Sequence, residues 1–285
     1  MKIAITGATG NFGRAAIQAL SQQVAISDLI ALARNTEKAQ QLLPAGIEIR
    51  PAAYEDVDQL TASLAGVDRL LFVSSQPGAA MPRLEQHRNV VKAAQSAGVK
   101  LIAYTSFQHA DTATTPLAED HLATEALITA AGIKHIFLRN NWYLENEMGV
   151  IQGAQANQPF YYSAANGRAG WALERNYAEA AANAILMDQA NEVYELAGAI
   201  ATYPELAQAL QTVTGHDFSI NAVNDADYQA GLVAAGLDEG TAGFATMVQQ
   251  LIRDGNLEAG STDLPTLLGR PLPSLTEALQ EIIDR

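Results

Sequence analysis

Ile3-Ala4-Ile5-Thr6-Gly7-Ala8-Thr9-Gly10-Asn11-Phe12-Gly13 is a short apolar run followed by glycines spaced G-x-x-G-x-x-G, and from Phe12 to Leu20 the apolar residues take up helical spacing. The pattern predicts strand, tight turn and helix in immediate succession. Each glycine has a separate reason to be there. Gly7 permits the turn, Gly10 lets main-chain N–H groups approach a ligand with no Cβ in the way, and Gly13 allows helix and strand to pack closely. The start of the helix adds unpaired donors and the positive end of a dipole. Gly7, Ala8, Thr9, Gly10, Asn11, Phe12 and Gly13 are therefore the candidate seat of a dinucleotide pyrophosphate.

The same rhythm continues downstream. Leu29 to Arg34, Ile47 to Ala52, Arg69 to Ser75, Lys100 to Phe107 and His135 to Asn140 are short apolar runs that read as buried parallel strands. Between them lie helix-length segments, notably Asp56 to Leu64, Pro82 to Ala97 and Leu117 to Ala131, with Gly66, Gly98 and Gly132 placed as C-terminal stops. The expected fold is α/β: a Rossmann-type doubly wound parallel sheet with a smaller C-terminal substrate lobe. Residues 143–170 read as irregular and aromatic, after which Leu173 to Met187 resumes a helix and Val193 to Leu196 a strand of the sheet. Phe218 to Val223 is a further strand candidate. The expected organisation is a nucleotide-binding domain of residues 1–142 and 171–199, with residues 143–170 and 200–285 forming the substrate lobe.

With 285 residues, 48% of them hydrophobic, the chain can bury a sizeable core. Its formal net charge of -14 repels phosphate backbones and anionic lipids, and no run of Lys or Arg offsets it. Neither nucleic acid nor membrane is an expected partner. The chain has no cysteine, so it has no disulfide, thiolate metal site or thiol nucleophile. With no signal-like or membrane-spanning apolar stretch, the expected location is the cytoplasm, as a monomer or homodimer.

The end of the second strand selects the nucleotide. Where an Asp or Glu would hold the ribose hydroxyls of NAD, this chain has Arg34, whose planar fork suits a 2'-phosphate, so NADPH is the expected cofactor. Later strand ends carry small polar residues: Ser74-Ser75, Thr105-Ser106 and Asn140-Asn141. In an open parallel sheet this edge is the ligand crevice.

None of the nine tyrosines is followed four residues later by a lysine, so the acid pair that short-chain dehydrogenases use on alcohols is missing. The histidines at 87, 109, 121, 135 and 216 have no metal-site spacing, and His109 and His121 read as polar residues at loop and helix surfaces. No metal is expected, and no catalytic side chain is assigned. Such a site suits an acceptor that stabilises the charge left by a hydride. A quinone does so, because its hydroquinone monoanion is the conjugate base of a phenol with a pKa of about 10. Trp142, Tyr143 and Phe160, with Tyr161 and Tyr162, are either walls of a flat acceptor pocket or the core of the lobe.

Several stretches together are more selective than the glycine turn: ITGATGNFG at 5–13, ALARN at 31–35, HRNVVKAAQSAGVKLIAYTS at 87–106, LRNNWYLEN at 138–146 and VYELAG at 193–198. On them the chain resembles the NmrA-like atypical short-chain dehydrogenases, and among these the bacterial NAD(P)H:quinone oxidoreductase 2 type, close to the triphenylmethane reductases. The resemblance implies NADPH held by Gly7 to Phe12, Arg34, Ser74, Ser75, Gln76, and Leu138, Arg139, Asn140, Asn141, Trp142 and Tyr143. It implies hydride transfer directly to a quinone. One departure stands out: the family often has a Lys after the glutamate at the position of Glu125, and here Ala126 follows, so no role for that Lys carries over. The alternative is a redox-sensing regulator that binds NADP(H) without turnover. Sugar epimerisation is disfavoured, since oxidising a hydroxyl needs the missing acid pair.

Overall fold

The apolar runs become parallel strands because helices cover both of their faces. A computed structural model, describing residues 1–76 and 80–285, begins with β1 (Ile3–Ile5), α1 (Asn11–Ser21), β2 (Leu29–Ala33), α2 (Thr36–Leu42), β3 (Glu48–Pro51) and α3 (Val57–Ser63). It continues through β4 (Arg69–Phe72), α4 (Arg83–Ala97), β5 (Leu101–Phe107), α5 (Pro116–Ala130) and β6 (Lys134–Asn140). Next come α6 (Met148–Gln155), β7 (Phe160–Tyr162), β8 (Arg168–Trp171), α7 (Glu174–Leu186) and β9 (Val193–Leu196). The remainder is β10 (Ala199–Thr202), α8 (Tyr203–Thr214), β11 (Ile220–Ala222), α9 (Asp225–Ala234), α10 (Glu239–Arg253), α11 (Asp263–Leu268) and α12 (Leu275–Ile283).

Seven strands form one sheet in the order β3-β2-β1-β4-β5-β6-β9, and every pairing in it is parallel. This is the Rossmann-type arrangement, with the strand order reversing between β1 and β4. Every residue of β1, β2 and β5 is buried, which is why their sequences show no alternation. Edge strand β3 instead carries Glu48, Arg50 and Pro51, residues that blunt an open edge. Local signals set the helix ends: Asn35 and Asp56 cap α2 and α3 through their side chains, and Gly98 stops α4 at φ +74°. Among the described residues no helix is long and apolar enough to cross a membrane.

The chain divides into two units. The first is Met1–Asn140, Glu174–Leu196 and Asp263–Arg270, and the second is Asn141–Leu173, Ala197–Thr262 and Pro271–Arg285. In the second, β7 pairs in parallel with β11 and β8 antiparallel with β10. The reading of residues 143–170 as irregular is corrected here, since they contain α6, β7 and β8. Gly149 and Gly153 dilute the helical signal of α6, and strands of three and four residues are too short to show a period.

Arg139 ties the far side of the sheet together. It lies in register with Ser106 of β5 on one side and Glu195 of β9 on the other. Its guanidinium binds Glu125 of α5 in a two-pronged pair, Nε to Oε1 at 3.0 Å and Nη2 to Oε2 at 2.8 Å. Its Nη1 reaches Glu195 at 3.0 Å and Asp111 at 2.9 Å. Burial opposes the charge, but Glu125 and then Glu195 outweigh it and raise the Arg139 pKa further. Replacing Arg139 with Met leaves the buried Glu125 carboxylate without its cation, so Arg139→Met is expected to lower the unfolding free energy by about 3 kcal/mol. Urea denaturation measures this; an unchanged midpoint would mean the carboxylates rehydrate in place.

Candidate functional site

Close approach of backbone to backbone shapes the glycine turn. Gly7 has φ +60°, and its carbonyl accepts from the Gly10 amide at 2.9 Å. A Cβ on Gly13 would stand 2.3 Å from that carbonyl oxygen and 2.8 Å from the Ala8 Cα, so no larger residue fits. A Cβ on Gly10 would lie 3.3 Å from the same oxygen. Gly10 is also the N-cap of α1 and has no side chain to close the helix start. The result is a donor-rich cradle of the kind that receives a pyrophosphate, and the residues present fit that group. The first turn of α1 contains no acidic residue. Instead Arg14 lies there, its Nη2 donating to Asn11 Oδ1 at 2.8 Å. A cation at this end opposes the helix dipole, and an anionic ligand would offset that cost.

Arg34 follows the last residue of β2 and is exposed, with no hydrogen bond or ion pair to its side chain among the described residues. Its charge is felt by Tyr54, whose phenol burial pushes well above the usual range while the Thr6 hydrogen bond and Arg34 partly counter the rise.

Across the switch point, the segment after β4 is held from all sides. Thr6 Oγ1 accepts from the Val73 amide at 2.8 Å, and the Tyr54 hydroxyl donates to the Val73 carbonyl at 2.7 Å. Thr105 Oγ1 accepts from the Ser74 amide at 2.8 Å, and His87 Nε2 accepts from the Ser75 amide at 3.0 Å. Thr105, read from sequence as a ligand contact, is buried and shapes this segment. Sequence reasoning singled out neither Arg14 nor His87. A cation directly after the last glycine was a usable signal for Arg14, whereas His87 gave none.

The segment from Leu138 to Tyr143 splits by role. Leu138 is fully buried, and the Arg139 guanidinium is engaged by three carboxylates. In the second unit, Asn141 donates to the Leu257 carbonyl at 3.0 Å and accepts from the Trp142 amide at 2.8 Å and the Gly170 amide at 3.1 Å. Trp142 and Tyr143 stay half-buried. Phe160, by contrast, is 3% exposed and packs with Tyr162, Tyr203 and Phe218, the core role of the two left open for it.

The expectation for His121 changes. His121 is buried, not at a helix surface, with its Nδ1 2.9 Å from the Tyr104 hydroxyl. His109 lies with Asp111 and Glu195, their ligand-type atoms all within 4.8 Å of one another. Arg139 already pairs with both carboxylates, so the group resembles an ion-pair network more than a metal cage.

Glu147 of the second unit was also missed. Its Oε1 accepts from Trp171 Nε1 at 3.2 Å and from the Tyr203 hydroxyl at 3.1 Å. Burial pushes its pKa up to about 7, against the downward pull of Trp171, Tyr203 and Trp142. The folded protein therefore keeps this proton at pH values where the unfolded chain has released it. Stability from this group is fully present below about pH 4 and is lost as pH rises through about 7, a change of about 3 kcal/mol. Glu147→Gln should flatten that decline in urea midpoints measured from pH 5 to 8; an unaltered pH profile would assign the decline to other groups.

The family model described as NAD(P)H-binding matches residues 7–167. The chain is 39% identical to quinone oxidoreductase 2 of Escherichia coli (strain K12), over 99% of each protein. A solved structure of the Escherichia coli NADPH-dependent quinone oxidoreductase complexed with NADPH superposes with a TM-score of 0.93, at 38% identity and covering 99% of both chains. Triphenylmethane reductase from Citrobacter sp., solved with NADP(H), superposes with the same score of 0.93, at 35% identity, covering 98% of this chain and 99% of the other. With an uncapped glycine turn at the switch point, Arg34 at the end of β2 and likeness along the whole length, the chain belongs to the NmrA-like NAD(P)H-binding reductases of the quinone oxidoreductase 2 type.

Proposed function

We propose that the chain is an NADPH-dependent reductase that passes a hydride to a quinone or a similar electron-poor aromatic acceptor. The observation that carries the nucleotide choice is the exposed, uncommitted guanidinium of Arg34 at the strand end beside the glycine turn. Gly7 to Gly13 would hold the pyrophosphate, Arg34 the 2'-phosphate, and Ser74, Ser75 and Gln76 the far half of the nucleotide. The acceptor class comes from the likeness to quinone oxidoreductase 2 and from the chemistry of the residues available. Bound there, the nicotinamide supplies the hydride.

The protein's own contribution is placement. Helix α5, where a tyrosine and lysine acid pair would be sought, contains neither residue. Tyr104, on the neighbouring strand, is fully buried, and burial pushes its phenol far above the range useful for proton donation. A hydroquinone anion needs no such donor, since water protonates it. Trp142 and Tyr143 are the proposed walls against which a flat acceptor lies, with near-attack positioning as the main source of rate.

Steady-state assays with NADPH and NADH against a small panel of quinones test this reading. NADPH oxidation is expected to depend on added quinone and to saturate; tight NADPH binding with no turnover on any quinone or dye would favour the redox-sensing alternative. Arg34→Ala is expected to weaken NADPH binding by roughly 1.5–3 kcal/mol, the loss of one charge-assisted contact, and to leave NADH nearly unchanged. Equal losses for both nucleotides would remove Arg34 from the phosphate site.

A further inference from the structure

His87 is fully buried on α4, yet one of its ring nitrogens meets the edge where the nucleotide reading places the cofactor. The Ser75 amide lies 3.0 Å from His87 Nε2. A backbone amide only donates, so Nε2 must carry a lone pair and no proton. The proton of the neutral ring is then on Nδ1, which donates to Thr124 Oγ1 at 2.8 Å. Thr124 passes its own hydroxyl proton to the Asp120 carbonyl at 2.6 Å. The tautomer is thus set from both ends. Around the ring stand Phe72 of β4 and Tyr104 of β5, and the Tyr104 hydroxyl in turn meets His121 of α5. Burial first, and then the nearby Arg83 charge, push the His87 pKa down to about 3, so the acceptor nitrogen stays available.

This contact has a consequence because of where Ser75 lies. Strand β4 ends at Phe72, and residues 73–76 belong to no strand. Among the described residues, side chains hold this stretch: Thr6 and Tyr54 hold Val73, Thr105 holds Ser74, and His87 holds Ser75. A dinucleotide crossing the switch point with its 2'-phosphate at β2 must lay its nicotinamide half over β4. Ser75 and Gln76 are the last described residues of that segment.

We propose that His87 is a positioning residue for the cofactor, acting through the Ser75 amide to hold Ser75 and Gln76 where the nicotinamide half of the nucleotide is received. The proposal rests on the reading that this edge binds NADPH. It differs from the role given to Arg34 in one respect that can be measured. Arg34 discriminates between nucleotides, whereas His87 serves the half that NADPH and NADH share.

The experiment measures NADPH and NADH binding to the intact protein by nucleotide fluorescence, without acceptor, for the wild type and for His87→Leu, His87→Gln and His87→Asn. Leucine removes the acceptor. Glutamine places a carbonyl oxygen near the Nε2 position, where it can take the Ser75 amide, and asparagine reaches only as far as Nδ1. His87→Leu and His87→Asn are expected to weaken both nucleotides alike by roughly tenfold, and His87→Gln to recover most of the loss. The KM for NADPH should rise in step while kcat with saturating nucleotide stays nearly constant. Nitrogen-15 chemical shifts of the imidazole should show Nδ1 protonated and Nε2 bare in the wild type. If leucine prevents folding, the glutamine and asparagine pair decides. Equal binding by those two variants, wild-type affinity in all three, or a loss confined to NADPH would overturn the proposal. A wild type that takes up neither nucleotide would instead overturn the cofactor reading beneath it.

Discussion

At Gly13 the first turn of α1 lies so close to the preceding loop that a single methyl group would collide with the Gly7 carbonyl at 2.3 Å. That approach lets the helix begin directly at the carboxyl end of β1, with its donors turned to the strand edge rather than buried against it. A side-chain cap would have closed the same helix start, and Gly10 offers none. The reversal of strand order between β1 and β4 opens a crevice there. Position at the switch point, rather than the glycines alone, is what marks the turn as a candidate site.

Several polar groups at this edge hold it in shape. Thr6, Tyr54, Thr105 and His87 do this, each meeting a main-chain group of Val73, Ser74 or Ser75. Arg139 does the same on a larger scale with charge. One guanidinium bound to Glu125, Glu195 and Asp111 links α5, β6 and β9 and the loop after β5, at the cost of surrounding itself with excess negative charge. In the second unit Glu147 gathers Trp171 and Tyr203 with no cation at all, and the raised carboxyl pKa follows from that.

Recurring small polar residues at strand ends suggested ligand contacts from sequence because position along a strand is visible there and direction is not. Thr105 and Arg139 share that edge, but their side chains turn inward, toward the Ser74 amide and a carboxylate cluster respectively. Phe160 was ambiguous for a related reason: an aromatic ring reads the same whether it lines a pocket or fills a core. Contact with Phe218 and Tyr203, 58 and 43 positions further along the chain, resolves it.

The succession of strands along the chain, the turn at Gly7 to Gly13 and the cation after β2 were legible in the residues, because they depend on local periodicity and on conformations that few residue types allow. The short elements of residues 143–170 were not, since segments of three to eight residues carry too little pattern, and glycines dilute it in α6 and β8. His87, Glu147 and the partners of Arg139 belong wholly to the tertiary structure. Their chemistry depends on which donors and charges lie across the fold, and a buried imidazole, carboxyl or guanidinium has no fixed character until packing chooses its neighbours and removes the water.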